Sequence, residues 1–503
     1  MLASLLLLKQ ALLLGRATTA RSRARARPWF GALGIALTLA CLGILVYQAT
    51  WQLAGTIRPR FIAFMQLHDR RQFNPAHWIQ RGRILDHRGT VLAESREQDG
   101  GVVRVYPFGP VFAHAVGYAH PRYGATGIEA LGNVALNGGL PASLSAWGDL
   151  GRQLVVGDKR PRGQDLITTL DAELQQQAVA ALGQRRGAVL LMRPDDGAVL
   201  VLASNPGFDP NQIAAALAAR DDPTSPLLNR ATQGQYPPGS VFKVVIAAAA
   251  LEAGFSGRLD CPVEGYTTSS RYPRIRDHEY YLARREGRTW GGHGRLDLAT
   301  ALAKSSNVFF AQLGVAQGRD GLATIAERFL FNRTLSLGDG PGAQMHTGRL
   351  PTLPERDRYG LAQAAIGQGR VLATPAHMAL ITAAIGNDGL AMRPRLLRAQ
   401  APEPLGQFMT ATTAARLREM LRLAVSAGTG RGIDQSQLAI AGKTGTAENP
   451  AGASHAWFVG LAPAARPRLA VAVLVEHGGY GSSAAAPIAR DLFLSAARLG
   501  LLD

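Results

Sequence analysis

The chain has 503 residues, 47% of them hydrophobic, enough for a large core and roughly two to four domains. Lys plus Arg (54) exceed Asp plus Glu (36) by 18, a balance that suits an anionic membrane surface, an acidic polymer or nucleic acid. Aromatic content is only 7%, with no zinc-finger spacing and no aromatic-basic platform, which speaks against nucleic acid. The two cysteines, Cys41 and Cys261, lie far apart and in no metal or redox spacing, so they do not define the compartment.

The N-terminus does define it. Residues 30–50, FGALGIALTLACLGILVYQAT, carry no charge and are flanked by Trp29 and Trp51, as interfacial aromatics flank a span. Lys9, Arg16, Arg21, Arg23, Arg25 and Arg27 precede the run, with no acid among residues 1–28. The pattern predicts a cytoplasmic tail (1–28), a transmembrane helix (29–51) and an extracytoplasmic remainder anchored to the cytoplasmic membrane. A cleaved signal peptide fits less well, because the run is long and no small-x-small site follows. The earlier run LASLLLLKQALLL is too short to span; it reads as an interfacial helix or as a start codon placed too early.

Residues 52–165 read as a small, mostly β pedestal of a dimerisation-like kind. RGRILDHRGTVLAES (81–95) alternates around DHRG as a strand-turn-strand unit, and the Gly/Pro-rich stretch after residue 100 holds only short apolar segments. GDKRPRGQDL (157–166) reads as a boundary. From residue 166 to 503 the pattern is that of one α+β domain. Asp171 can cap a helix with apolar residues at helical spacing. GAVLLMRPDDGAVLVLAS (187–204) reads as a hairpin around DDG, and Ala/Leu-rich helices follow. LAIAGKTGTAE, AWFVGLAP and RLAVAVLVEH read as three strands before a closing helix at 486–502. The expectation is a five-stranded antiparallel sheet between helical layers, made of chain ends that meet across a helical insertion.

Three short stretches carry chemistry. In QYPPGSVFKVV, Ser240 opens a helix and Lys243 lies three residues on, close enough to touch it. A lysine among Phe242, Val244 and Val245 is desolvated, so its pKa falls and it can take the serine proton. The bland alternative is a capping serine with a solvated lysine. In AKSSNVFF, Ser305 and Asn307 form S-x-N where a helix can break; alone, this reads as a loop. In AGKTGTAE, Lys443, Thr444, Gly445 and Thr446 lie on a strand, where Gly445 would let a substrate backbone approach and the polar groups could hold a carboxylate.

S-x-x-K, S-D-N and K-T-G together are the signature of penicillin-binding proteins and class A β-lactamases. Here they occur in that order, 65 and 138 residues apart, with Ser306 in place of the central Asp. Over residues 78–500 the chain resembles the class B penicillin-binding proteins, membrane-anchored peptidoglycan D,D-transpeptidases, also in GATGIEA, LITTLDAELQQQA and AQAAIGQGRVLATPAHMA. The resemblance implies Ser240 as nucleophile, Lys243 as base, Ser305 as proton relay with Lys443 nearby, Asn307 orienting the peptide amide, and Lys443, Thr444 and Thr446 holding the terminal carboxylate. It also implies an oxyanion hole from the N–H groups of Ser240 and Thr446. Peptidoglycan stem peptides and β-lactam antibiotics are the implied ligands, and a membrane glycan polymerase of the shape and division type the implied partner. No cofactor and no metal are implied. A β-lactamase, a β-lactam sensor and a non-catalytic scaffold are the alternatives. The anchor and length argue against the first, and the intact motifs against the scaffold.

Overall fold

The computed structural model describes residues 28–52, 80–98, 101–138, 162–219, 221–338, 343–354, 356–449 and 452–503. The expected cytoplasmic tail, the run LASLLLLKQALLL and the 53–79 connector lie outside the described residues, as does most of the GDKRPRGQDL boundary. The chain divides into two units, Met1–His68 and Asp69–Asp503.

In the first unit, helix α1 spans Pro28–Gln52. Its side chains are described at residues 33–49, and all of these are exposed, among them Leu33, Ile35, Leu42, Ile44 and Leu45. Among the described residues no helix is long and apolar enough to cross a membrane.

The second unit begins with a sheet of order β3-β2-β1-β4, built from β1 (Ile84–Leu85), β2 (Val91–Gln98), β3 (Gly101–Val105) and β4 (Leu166–Ile167). The predicted strand-turn-strand around DHRG is β1–β2. β4 pairs parallel with β1, so the first residues beyond the expected boundary complete the pedestal sheet. The described pedestal is less β than expected. Ala113–Val116, Gly127–Leu131 and Asn133–Leu136 are short helices, and the remaining strands are two-residue bridges. The helical turns bring Glu129 inward. Burial opposes its ionisation, but Arg81 and Arg104, each 2.6 Å away, hold its carboxyl below the usual range.

The catalytic-domain sheet has five antiparallel strands. Helix α2 (Ala172–Leu182) starts where Asp171 accepts a hydrogen bond from Leu174 N. Strands β5 (Gly187–Met192) and β6 (Val199–Asn205) form the predicted hairpin. Long after them come α3 (Lys243–Glu252), α4 (Leu298–Lys304), α5 (Asn307–Arg328, broken at Gly318), α6 (Pro375–Gly386) and α7 (Ala411–Ser426). Strands β7 (Ala441–Asn449), β8 (Gly452–Ala462) and β9 (Leu469–Val475) return, and α8 (Ala486–Arg498) closes the chain. The order is β7-β8-β9-β5-β6, so β9 joins the late strands to the early hairpin and β7 is an edge.

Both faces of this sheet are buried, by the period-two rule. Ala188, Leu190, Met192, Ala470, Ala472 and Leu474 enter the core shared with α3, α5 and α6. Val189, Leu191, Val471 and Val473 enter a second core with Leu174, Ala178, Leu492 and Phe493 of α2 and α8. A central sheet covered on both faces leaves the β7 edge to border the site.

Candidate active site

Ser240 lies in a 3₁₀ turn, Gly239–Phe242, that runs straight into α3. The sequence predicted an α-helical start. With about three residues per turn, side chains at i and i+3 fall in line, so the tighter turn stacks Ser240 over Lys243 more directly than an α-helix would. The turn needs a glycine at its first position. Gly239 has φ +53°, and a Cβ there would lie 2.6 Å from the Thr446 carbonyl oxygen. Behind it, Gly239 N donates to Gly367 O at 2.9 Å. Gly445 permits a close approach, as expected, but the chain itself makes it: a Cβ there would meet Val241 Cγ1 at 2.9 Å and Pro238 O at 3.1 Å.

Lys243 is fully buried. Its Nζ donates to the Ser305 carbonyl oxygen at 2.6 Å and to Asn307 Oδ1 at 2.7 Å, with Ser305 Oγ at 3.4 Å. Burial pulls its pKa down to about 7, against the opposing fields of Asp277 and Glu279. Ser305 occupies the left-handed region (φ 61°, ψ 35°) in the break between α4 and α5, which turns its carbonyl and hydroxyl toward Lys243. Asn307 uses both ends of its amide, since Nδ2 donates to Arg276 O at 3.0 Å.

The structure accounts for Ser306. Its hydroxyl caps α5, accepting from Phe309 N, and donates to Asp277 Oδ2 at 3.1 Å. Asp277 Oδ1 also accepts from Val308 N at 3.1 Å. An aspartate at 306 would set its carboxylate against the Asp277 carboxylate in a buried place.

Lys443, on β7, is 1% exposed. Its Nζ donates to Thr444 O at 3.1 Å and Thr429 Oγ1 at 3.4 Å. Burial, and then the like charge of Lys243, depress its pKa far below that of a free lysine. No hydrogen bond among the described residues joins it to Ser305. Thr446 borders the turn that carries Ser240, and its Oγ1 accepts from Gly481 N at 3.4 Å.

Lys243, Ser305 and Asn307 therefore form one hydrogen-bonded group, with Ser240 one turn before Lys243, whose backbone N–H donates to the Ser240 carbonyl. Lys443 and Thr444 form a second with Thr429, whose Oγ1 is 2.7 Å from Thr444 Oγ1 and whose N donates to Ala303 O at 3.2 Å. Thr429, Asp277 and Gly367 were not read from the sequence. The Gly-Thr-Gly at 428–430 was a visible turn signal, but nothing local tied it to the site. A serine over a buried lysine of lowered pKa, with further donors at the facing strand, is the arrangement of a serine acyl-transfer enzyme.

Comparison with known proteins agrees. Residues 187–494 match the penicillin binding protein transpeptidase domain, and residues 81–163 match the penicillin binding protein A dimerisation domain. The peptidoglycan D,D-transpeptidase PbpA of Mycolicibacterium smegmatis is 35% identical over 459 residues, covering 84% of this chain and 90% of that protein. The peptidoglycan D,D-transpeptidase MrdA of Acinetobacter baumannii is 31% identical over 456 residues, covering 78% and 66%. The ceftriaxone acyl-enzyme complex of penicillin-binding protein A from M. tuberculosis superposes with a TM-score of 0.74 at 32% identity, covering 84% of this chain and 99% of that one. The chain belongs to the penicillin-binding protein transpeptidase family, as a member of its class B type.

Proposed function

We infer that this chain is a peptidoglycan D,D-transpeptidase in which Ser240 is the acylated residue. The observation that carries the reading is Lys243, buried under the 3₁₀ turn of Ser240 with a pKa of about 7 and held by Ser305 and Asn307. The neutral lysine takes the serine proton as Oγ attacks the carbonyl between the two D-alanines of a stem peptide. The N–H groups of Ser240 and Thr446 receive the oxyanion, a contribution of about 3–4 kcal/mol. The proton returns through Lys243 and the Ser305 hydroxyl to the leaving D-alanine amine. Lys443, Thr444 and Thr446 hold the donor carboxylate, and an amine from a neighbouring strand then takes the acyl group, forming the cross-link. A β-lactam enters as the donor and remains as the ester.

Peptide mapping after penicillin labelling tests the assignment. The adduct is expected on the peptide containing Ser240, and an adduct on Ser305 overturns it. Persistence of the label on denaturing gels separates a transpeptidase from a β-lactamase, which loses it quickly. Formation of cross-linked muropeptides separates it from a sensor.

We further propose residues 29–51 as a single anchor with residues 1–28 inside, 52–165 as a pedestal and 166–503 as the extracytoplasmic catalytic domain. Support comes from the uncharged run 30–50 with Lys9 and five arginines before it, and from the exposed apolar side chains described at residues 33–49 of α1. A membrane glycan polymerase would supply the strands to be joined. Protease added to spheroplasts should digest the catalytic domain, and full protection would refute this topology.

A further inference from the structure

The turn that carries Ser240 cannot tie itself down. Pro237 and Pro238 have no N–H, so two successive positions before Gly239 offer only carbonyls. The ties fall on the flanks. Trp457, fully buried on β8, donates from Nε1 to Pro237 O at 2.9 Å. Tyr236 exchanges backbone hydrogen bonds with Ala373 at 2.9 and 2.8 Å, and its ring stands edge-on to Trp457 and His455. Its hydroxyl donates to Glu476 Oε1 at 2.7 Å.

Glu476 directly follows β9, the middle strand of the sheet. The same Oε1 accepts from Arg230 Nε at 2.7 Å, and Arg186 Nε lies 3.2 Å from Oε2. Arg230 is itself buried and donates to Thr224 O at 2.6 Å and Ser225 O at 3.0 Å. A charged acceptor fixed by two guanidiniums is a rigid post, because moving it would strip buried charges of their partners.

We propose that Glu476 is a positioning residue for acylation: through the Tyr236 hydroxyl it sets where the Tyr236–Gly239 turn, and with it Ser240, stands against β7. The inference rests on Ser240 as nucleophile, which adduct mapping on the unaltered protein decides independently. Small displacements of a nucleophile cost more in rate than in binding, since the oxyanion donors and the attacking oxygen must meet one carbonyl.

Tyr236→Phe removes one hydroxyl and leaves Glu476 with both arginines. Stopped-flow acylation of the full chain in detergent by a fluorescent penicillin separates the acylation step from binding. The expected result is an acylation step slower by about tenfold with binding within about twofold. Glu476→Gln is expected to slow the same step, and the double variant to be no slower than the slower single, because both act through one hydrogen bond. A Tyr236→Phe acylation step within twofold of the unaltered protein overturns the proposal even if the melting temperature falls, and so do multiplicative losses in the double variant. If Glu476→Gln does not fold, Tyr236→Phe alone decides.

Discussion

The acylation rate should depend on pH through Lys243. With its pKa at about 7, the neutral base is about 90% populated at pH 8 and about 10% at pH 6, so the rate should fall roughly ninefold between them. The shift from 10.5 to about 7 corresponds to about 5 kcal/mol favouring the neutral form at this fully buried site. Stability follows with a definite sign. Below about pH 7 folded and unfolded chains both hold the proton, and the burial penalty is present in full. Between about 7 and 10.5 the unfolded chain keeps a proton that the folded one has lost. Stability therefore rises with pH across that window, by up to about 1.4 kcal/mol per unit from this group. Lys443, also depressed, acts in the same direction. The assay is stopped-flow acylation by a fluorescent penicillin from pH 5.5 to 9, alongside melting curves of the unaltered protein and Lys243→Met. Glu279→Gln should move the rate midpoint down, by less than about one unit, because its field favours the charged lysine. A flat rate profile, or a midpoint above 9, would refute the assignment of Lys243 as the neutral base.

Lys443→Arg should acylate nearly as slowly as Lys443→Ala, because a larger, permanently charged head replaces a buried lysine that can be neutral; a second-order rate within a few-fold of the unaltered protein would leave carboxylate binding as its only role. Gly239→Ala should lose acylation by at least about 100-fold, since the left-handed backbone and the 2.6 Å approach to Thr446 O both oppose a Cβ; an active variant would show that the turn can move away from β7. Ser306→Asp should destabilise the domain by about 3 kcal/mol, read by thermal melting, because it faces Asp277 across 3.1 Å and loses the proton it donates; an unchanged melting temperature would undo the account of why serine stands there.

The sequence by itself determined the strands of the five-stranded sheet and the nearness of Ser240 to Lys243. Period-two apolar strands, the DDG hairpin and the Asp171 cap are local signals, and they hold in the structure. Ser240 and Lys243 are three residues apart, so any helical turn brings them together. Local pattern could not decide what lies opposite that turn. The pedestal's short helices arise where Glu129 meets Arg81 and Arg104, partners 48 and 25 residues away that no window of sequence joins. Ser306, which stands where S-D-N has its acid, donates to Asp277, 29 residues before it. Thr429 reaches Lys443 and Thr444 from a turn whose backbone is tied to Ala303 at the end of α4. The depressed pKa of Lys243 was legible in direction from its apolar neighbours. Its place near 7 depends on complete burial set against Asp277 and Glu279, and burial is a property of the packed chain alone.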